Sequence, residues 1–257
     1  MKVVHRVLSP DLGRQVPAGL CALAVMTKAP RAGQVKTRLT PPLTAAEAAA
    51  INICFLQDTT AAITATEADG RARGIGVYTP VGEENAFAEV LPSHFALVAQ
   101  RGAAFGERLT AAAEDLFEIG FDSVCLINSD SPTVPQNAYM EAVRLLSDAG
   151  DRIVLGPSDD GGYYLIGLKQ VHARVFGEIA WSTEHVFGQT LERAQEIGVP
   201  VKLLPTWYDV DDRAMLRRLC AEFFEPADAP AGFPAPATRA FLTDIIAREG
   251  RARVWPL

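Results

Sequence analysis

The chain has 257 residues, enough for one large α/β domain or two small ones, and 49% hydrophobic with 21% charged residues is the balance of a water-soluble globular protein. Its net charge of −7 offers no basic surplus for neutralising a nucleic-acid backbone, so any phosphate it binds needs a local cation cluster or a metal ion. No stretch approaches the roughly 18 apolar residues of a membrane span, and residues 1–19 lack the apolar centre of a secretory signal. The cysteines Cys21, Cys54, Cys125 and Cys220 lack the C-x-x-C spacing of a zinc site and suggest no disulfide framework. The expected compartment is the cytoplasm, with neither a membrane nor a nucleic-acid partner.

In chain order, Leu20–Met26 is a continuous apolar run, the pattern of a strand buried on both faces. A basic loop over 27–42 follows, and then Thr44-x-x-Glu47, a capping box that opens a predicted helix over 45–65. Strands are predicted at 74–79 and 95–99, with a short helix over 83–90 between them. A helix over 105–119 is closed by Gly120. Strand 123–128 ends abruptly in Ser-Asp-Ser-Pro, followed by helix 136–148 and strands 152–156 and 163–168. Helix 184–197, strand 201–204 and helix 211–223 complete the body. Strands that alternate with helices predict a mostly parallel sheet with helices on both faces, whose ligands bind beyond the carboxyl ends of the strands. Residues 1–19 are an extension, residues 20–223 the domain, and residues 224–257 a Pro/Ala-rich linker followed by a docked helix. The extension is expected to be a disordered arm or an added strand.

Five strand-following loops carry the candidate chemistry. Lys28, Arg31, Lys36 and Arg38 place four cations within eleven residues, and Gly33 lets the backbone come close to a ligand. This pattern is neither a P-loop nor a dinucleotide fingerprint; a solvated basic loop is the plain alternative. Asp130 directly follows a buried strand, where a carboxylate can hold a divalent cation or simply form a turn. In Asp159-Asp160-Gly161-Gly162-Tyr163-Tyr164, the glycines give either a hairpin connection or room for a substrate that Asp160 contacts. Trp181-Ser182-Thr183 precedes a helix, so Ser182 or Thr183 is an N-cap candidate and Trp181 a core residue or a stacking platform. Asp209, Asp211 and Asp212 repel one another unless a cation or helix dipole offsets them; Asp209 and Asp211 could complete a metal site with Asp130, and Asp211 or Asp212 could cap the next helix. The histidines show no metal spacing, and no G-x-S-x-G or Cys/His signature supports covalent hydrolysis.

Taken in order, Lys28-x-Pro-x-x-Gly-x-x-Lys-Thr-Arg-Leu39, Ser129-Asp-x-Pro132, Gly156-Pro-x-x-Asp-Gly-Gly-Tyr-Tyr-Leu-Ile-Gly167, Trp181-Ser-Thr183 and Asp209-Val-Asp211 resemble the bacterial selenodomain-associated transferase 1 family. That family is placed among the GT-A nucleotide-diphospho-sugar transferases. The series is more distantly similar to the guanylyltransferases of coenzyme F420 synthesis and to molybdenum-cofactor nucleotidyltransferases. The resemblance spans about Leu20 to Leu219. It implies a GT-A domain, Mg2+ or Mn2+ as cofactor, and a nucleotide or nucleotide-sugar donor with a small-molecule acceptor. Carried over by position, the implied donor-phosphate residues are Lys28, Arg31, Gly33, Lys36 and Arg38, and the implied metal residues are Asp130, Asp209 and Asp211. The acceptor residues would be Asp160, Gly161, Gly162, Trp181, Ser182 and Thr183, with Lys36, Asp130 and Asp211 at the chemistry. Ala104 stands where the family usually has an acid. The leading expectation is nucleotidyl transfer from an NTP to a small anionic acceptor with release of pyrophosphate; glycosyl transfer and a non-catalytic nucleotide-binding regulator are the alternatives.

Overall fold

A computed structural model describes residues 4–225 and 232–255. Seven strands form one sheet: β1 (Cys21–Lys28), β2 (Ala72–Thr79), β3 (Ala96–Ala99), β4 (Ser123–Ile127), β5 (Ile153–Pro157), β6 (Tyr163–Leu168) and β7 (Val201–Leu203). The helices are α1 (Ala45–Thr66), α2 (Phe105–Ile119), α3 (Gln136–Ser147), α4 (Val186–Glu196), α5 (Arg213–Phe224) and α6 (Pro236–Glu249). The strand order is β3-β2-β1-β4-β6-β5-β7, and every neighbouring pair is parallel except those made by β6, which runs antiparallel to β4 and β5. This is the mostly parallel α/β sheet that the strand–helix alternation predicts, and the GT-A (Rossmann-like) arrangement that the resemblance implies.

Both sheet faces are covered. Leu56, Ile63, Tyr139 and Leu146 pack α1 and α3 on one face, and Leu109, Leu116 and Ala194 pack α2 and α4 on the other. The predicted capping box is formed: the Thr44 hydroxyl accepts from the Glu47 amide while the Glu47 carboxylate accepts from the Thr44 amide. Cys21 and Cys125 are buried free thiols in adjacent strands, acting as small apolar residues.

A third core lies outside this sandwich. Leu39, Leu43, Ile51 and Phe55 meet Leu216 and Leu219 of α5, Leu242 and Ile245 of α6, and Trp255. Helix α1 is thus clamped between the sheet and the C-terminal helices, which is why it is apolar nearly all round. Asp58, 1% exposed on α1, accepts hydrogen bonds from the amides of Ala237 and Thr238 and so caps α6 from a neighbouring helix.

Several local expectations differ from the structure. The short helix expected over 83–90 is a single 3-10 turn, Glu84–Phe87. Helix α4 begins at Val186 with His185 as N-cap, because Ser182 takes a positive φ of 64° and breaks the chain direction there. Thr183 instead donates from its hydroxyl to Ala180 O and accepts from the His185 amide. The helix expected from 211 starts at Arg213, capped by Asp212, whose side chain accepts from the Met215 amide. Part of the predicted linker, from Pro236, already belongs to α6, while residues 226–231 lie outside the described residues. Near the N-terminus, Val7 bridges to Leu97 at the edge of β3, and the buried His5 ring sits 2.9 and 3.1 Å from the carbonyls of Phe95 and Phe87.

Candidate active site

Loops leaving the carboxyl ends of β1 and β4, the β5–β6 hairpin and the segment before α4 enclose a cavity of about 610 Å³. Its lining includes Lys28, Lys36, Thr37 and Arg38 from the basic loop, and Asp130, Asp160, Gly162 and Asp211 from the acidic loops. Trp181, Ser182 and Thr183 line it too. Most of the predicted site residues are therefore brought to one place. Arg31, Gly33, Gly161 and Asp209 are not among the lining residues. Arg31 points its guanidinium at Glu83 and pairs with it. Gly33 is an exposed turn residue with φ +74°.

Lys36 is the centre of the ionic side. The backbone there takes a left-handed φ of 49°, which turns the side chain inward. Its ammonium lies 2.6 Å from Asp130 Oδ1 and 2.8 Å from Asp211 Oδ1, donates to Val210 O, and sits 5.3 Å from the Phe55 ring centroid. The side chain is 5% exposed. Burial disfavours its charge, but the two carboxylates outweigh burial and hold its pKa above the ordinary lysine value.

The acidic side is assembled across a long sequence separation. Trp207 N donates to Pro157 O, Asp159 N to Trp207 O and Val210 N to Asp130 O, so the chain after β7 runs alongside the end of β5 and delivers Asp211 to Asp130. Asp209 sits behind this pair. Burial, then the negative charges of Asp160, Asp211 and Asp130, push its carboxyl up to about 7. Asp130 and Asp211 thus pair with one buried lysine while Asp160 and Asp209 add charge nearby, a surplus of negative charge made of hard oxygen donors. Such donors suit Mg2+ or Mn2+, and magnesium needs only one or two protein carboxylates beside substrate phosphates. Among the described residues, no three Asp, Glu, His or Cys side chains converge on a point that could hold a metal by themselves.

The glycine loop is both a hairpin and a cavity wall. Gly161 has φ +89°, and a Cβ there would lie 2.2 Å from Glu184 O, so glycine is what allows the hairpin and the chain before α4 to touch. Phe187 N donates to Gly161 O across the same contact. Both tyrosines border the cavity; Tyr164 is otherwise a core residue, 1% exposed, with its hydroxyl donating to Pro205 O.

Opposite the ionic side is an apolar wall. Phe105 and Trp181 meet edge to face with centroids 4.9 Å apart, beside Met26, Leu109, Leu126 and Val186. Trp181 therefore both packs and faces the cavity. Phe105, 43% exposed, and Asn52 from α1 are lining residues that the motifs do not contain. Each sits within a helical pattern, so the only available signal was an apolar residue at a helix N-terminus and an amide within an otherwise apolar helix face.

The family profile described as "Uncharacterized protein conserved in bacteria (DUF2064)" matches residues 62–183. A crystal structure of a candidate nucleotide-diphospho-sugar transferase from Desulfovibrio desulfuricans G20 is similar with a TM-score of 0.76 and 29% identity, covering 90% of this chain and 96% of that one. The structure of a CMP:2-keto-3-deoxy-manno-octonic acid synthetase complexed with CTP is similar in fold, with a TM-score of 0.51 and 10% identity over 79% of this chain and 97% of that one. No curated protein matches the chain by sequence.

Proposed function

We propose that this protein is a metal-dependent nucleotidyltransferase that joins the nucleotide of an NTP to a small anionic acceptor and releases pyrophosphate. The observation that carries this reading is one cavity in which Lys28, Lys36 and Arg38 face Asp130 and Asp211. Cations of this density suit a triphosphate, and the paired carboxylates suit a hard divalent cation. The finer likeness to the selenodomain-associated transferases belongs to this proposal, resting on the motif order from Lys28 to Asp211.

In the proposed reaction, an acceptor oxygen bonds to the α-phosphorus, the bond from that phosphorus to the bridging oxygen breaks, and the electron pair leaves with pyrophosphate. Lys28 and Arg38 bind the triphosphate, and Lys36 sits where charge accumulates. Asp130 and Asp211 are the residues that would hold Mg2+ or Mn2+, which when bound supplies positive charge to offset that of the reacting oxygens. No protein nucleophile is required, since positioning and charge stabilisation do most of the work. The acceptor lies toward Asp160, Gly162 and Trp181–Thr183, against the Phe105–Trp181 wall that excludes water.

Glycosyl transfer from a nucleotide-diphospho-sugar is the second reading, favoured by the likeness to the Desulfovibrio protein at 29% identity. Purified protein incubated with single NTPs or nucleotide sugars, with and without Mg2+, separates the two. A metal-dependent rise in melting temperature with an NTP, and pyrophosphate release once acceptors are added, is the expected result. Response to nucleotide sugars alone, with nucleoside diphosphate as product, would move the assignment to glycosyl transfer.

A further inference from the structure

Asn52 stands out among the buried polar residues of α1. Thr60 and Thr66 donate back to the carbonyls of Leu56 and Ala62, and Asp58 caps α6, so each is satisfied within the protein. The Thr59 hydroxyl, like the Asn52 amide oxygen, has no partner among the described residues, but Thr59 is not among the cavity-lining residues, so of the two only Asn52 borders the cavity. Asn52 is 4% exposed, lines the cavity beside the basic loop, and its Oδ1 has no hydrogen-bond partner among the described residues. Buried polar atoms are nearly always paired, because an unpaired one forfeits its hydration for nothing. Three residues further along the helix, Phe55 supports the Lys36 ammonium, so Asn52 lies on the face of α1 that borders the ionic side.

We propose that Asn52 is a specificity-determining residue whose side-chain amide hydrogen-bonds the nucleoside portion of the donor, through a ribose hydroxyl or an N–H on the edge of the base. This rests on the nucleotide reading of the cavity. An amide oxygen can only accept, and phosphate oxygens of an NTP also only accept, so the two do not pair; the cations Lys28, Lys36 and Arg38 take the phosphates instead. Ribose hydroxyls and base N–H groups are the neutral donors that a nucleotide offers. Had the amide been turned through 180°, its NH2 would face the same space and could donate to a phosphate, a distinction that the ligand set below resolves.

The test compares wild type with Asn52→Leu, which keeps the number and branching of side-chain heavy atoms and removes the unpaired polar atom, so the ligand-free variant melts at or above the wild-type temperature where the larger methyl groups fit. Asn52→Ala serves as the second variant if leucine overpacks. Calorimetric binding is measured, with Mg2+ present, for the NTP that wild type binds best, its 2′-deoxy and 3′-deoxy forms, and tripolyphosphate. The expected result is a loss of tenfold or more for the NTP with tripolyphosphate unchanged, since a site built to pair with a polar group discriminates strongly. If the variant and wild type differ for the NTP but not for one deoxy form, the partner is that hydroxyl; if they differ for both deoxy forms, it is the base. Equal NTP affinity in variant and wild type, or an equal loss for tripolyphosphate, would overturn the proposal. Wild type that binds no nucleotide at all would overturn the nucleotide reading and this assignment with it.

Discussion

The two walls of the cavity are built by different physics. The ionic wall is Lys36 held by Asp130 and Asp211, with Asp160 and Asp209 adding their charge nearby, and backbone pairing after β7 brings Asp211 to Asp130 from across β5, β6 and α4. Its geometry depends on charge balance, so a lost partner leaves an uncompensated neighbour. The apolar wall of Phe105, Trp181, Leu109 and Val186 depends on close contact, and any one side chain can be trimmed without stranding a charge. Substitutions on the first wall should therefore change both stability and chemistry, whereas those on the second should change ligand affinity.

The largest expected effect is at Asp130. Asp130→Ala should lower kcat by about 100-fold or more, the range for removing a charge-stabilising group, in an assay of pyrophosphate release. Wild-type turnover in this variant would remove Asp130 from the chemistry. Lys36→Met comes next: Asp130 and Asp211 would face one another without their cation. The fold should lose about 1–3 kcal/mol in denaturant unfolding, the lower end reflecting that both carboxylates are 31% and 42% exposed. Added Mg2+ should restore part of that loss.

On the apolar wall, Phe105→Ala should raise the acceptor KM by about tenfold, roughly 1.4 kcal/mol of contact, with a smaller change in kcat. Because that wall is uncharged, the penalty should be the same at low and high ionic strength, whereas donor affinity should fall as salt screens the basic loop. A salt-dependent Phe105 effect would blur the contrast between the walls.

The smallest effect is a pH dependence. Asp209 carries a carboxyl near 7 in the fold against 3.8 for the free side chain. Its ionised form is disfavoured by folding, so stability is undiminished below about pH 4, falls as pH rises from 4 to 7, and stays reduced above that. In metal-free buffer, the melting-temperature advantage of Asp209→Asn over wild type should grow between pH 5 and pH 8. A constant difference across that range would show that Asp209 is not held unpaired.

Much of this was legible in the sequence where local signals act alone. The run Leu20–Met26, the Thr44–Glu47 box and the Gly120 stop each specify their element through side-chain or backbone chemistry within a few residues, and β1, α1 and α2 follow them closely. The basic and acidic loops were also visible, because strand ends on such sheets are where ligands collect. What the sequence did not reveal was set by partners far along the chain. Glu83 draws Arg31 out of the cavity, and the positive φ of Ser182 delays α4. Lys36 reads as one loop cation among four, with no sign in the sequence that Asp211, 175 positions away, holds it in place. Asn52 and Phe105 are silent for the same reason: a helical pattern records that a face is covered, but not by what.

Helix α1 carries a last consequence, one of motion. Its inner side meets the sheet, its outer side α5 and α6, and Asp58 ties it to the start of α6. An element held on every flank opens only with the fold itself, so the floor bearing Asn52 and Phe55 is the stationary part of the cavity. Adjustment to an arriving ligand is expected in the largely exposed stretches at 31–35 and 182–185, and amide exchange should show that split directly: slow along α1, fast in both loops.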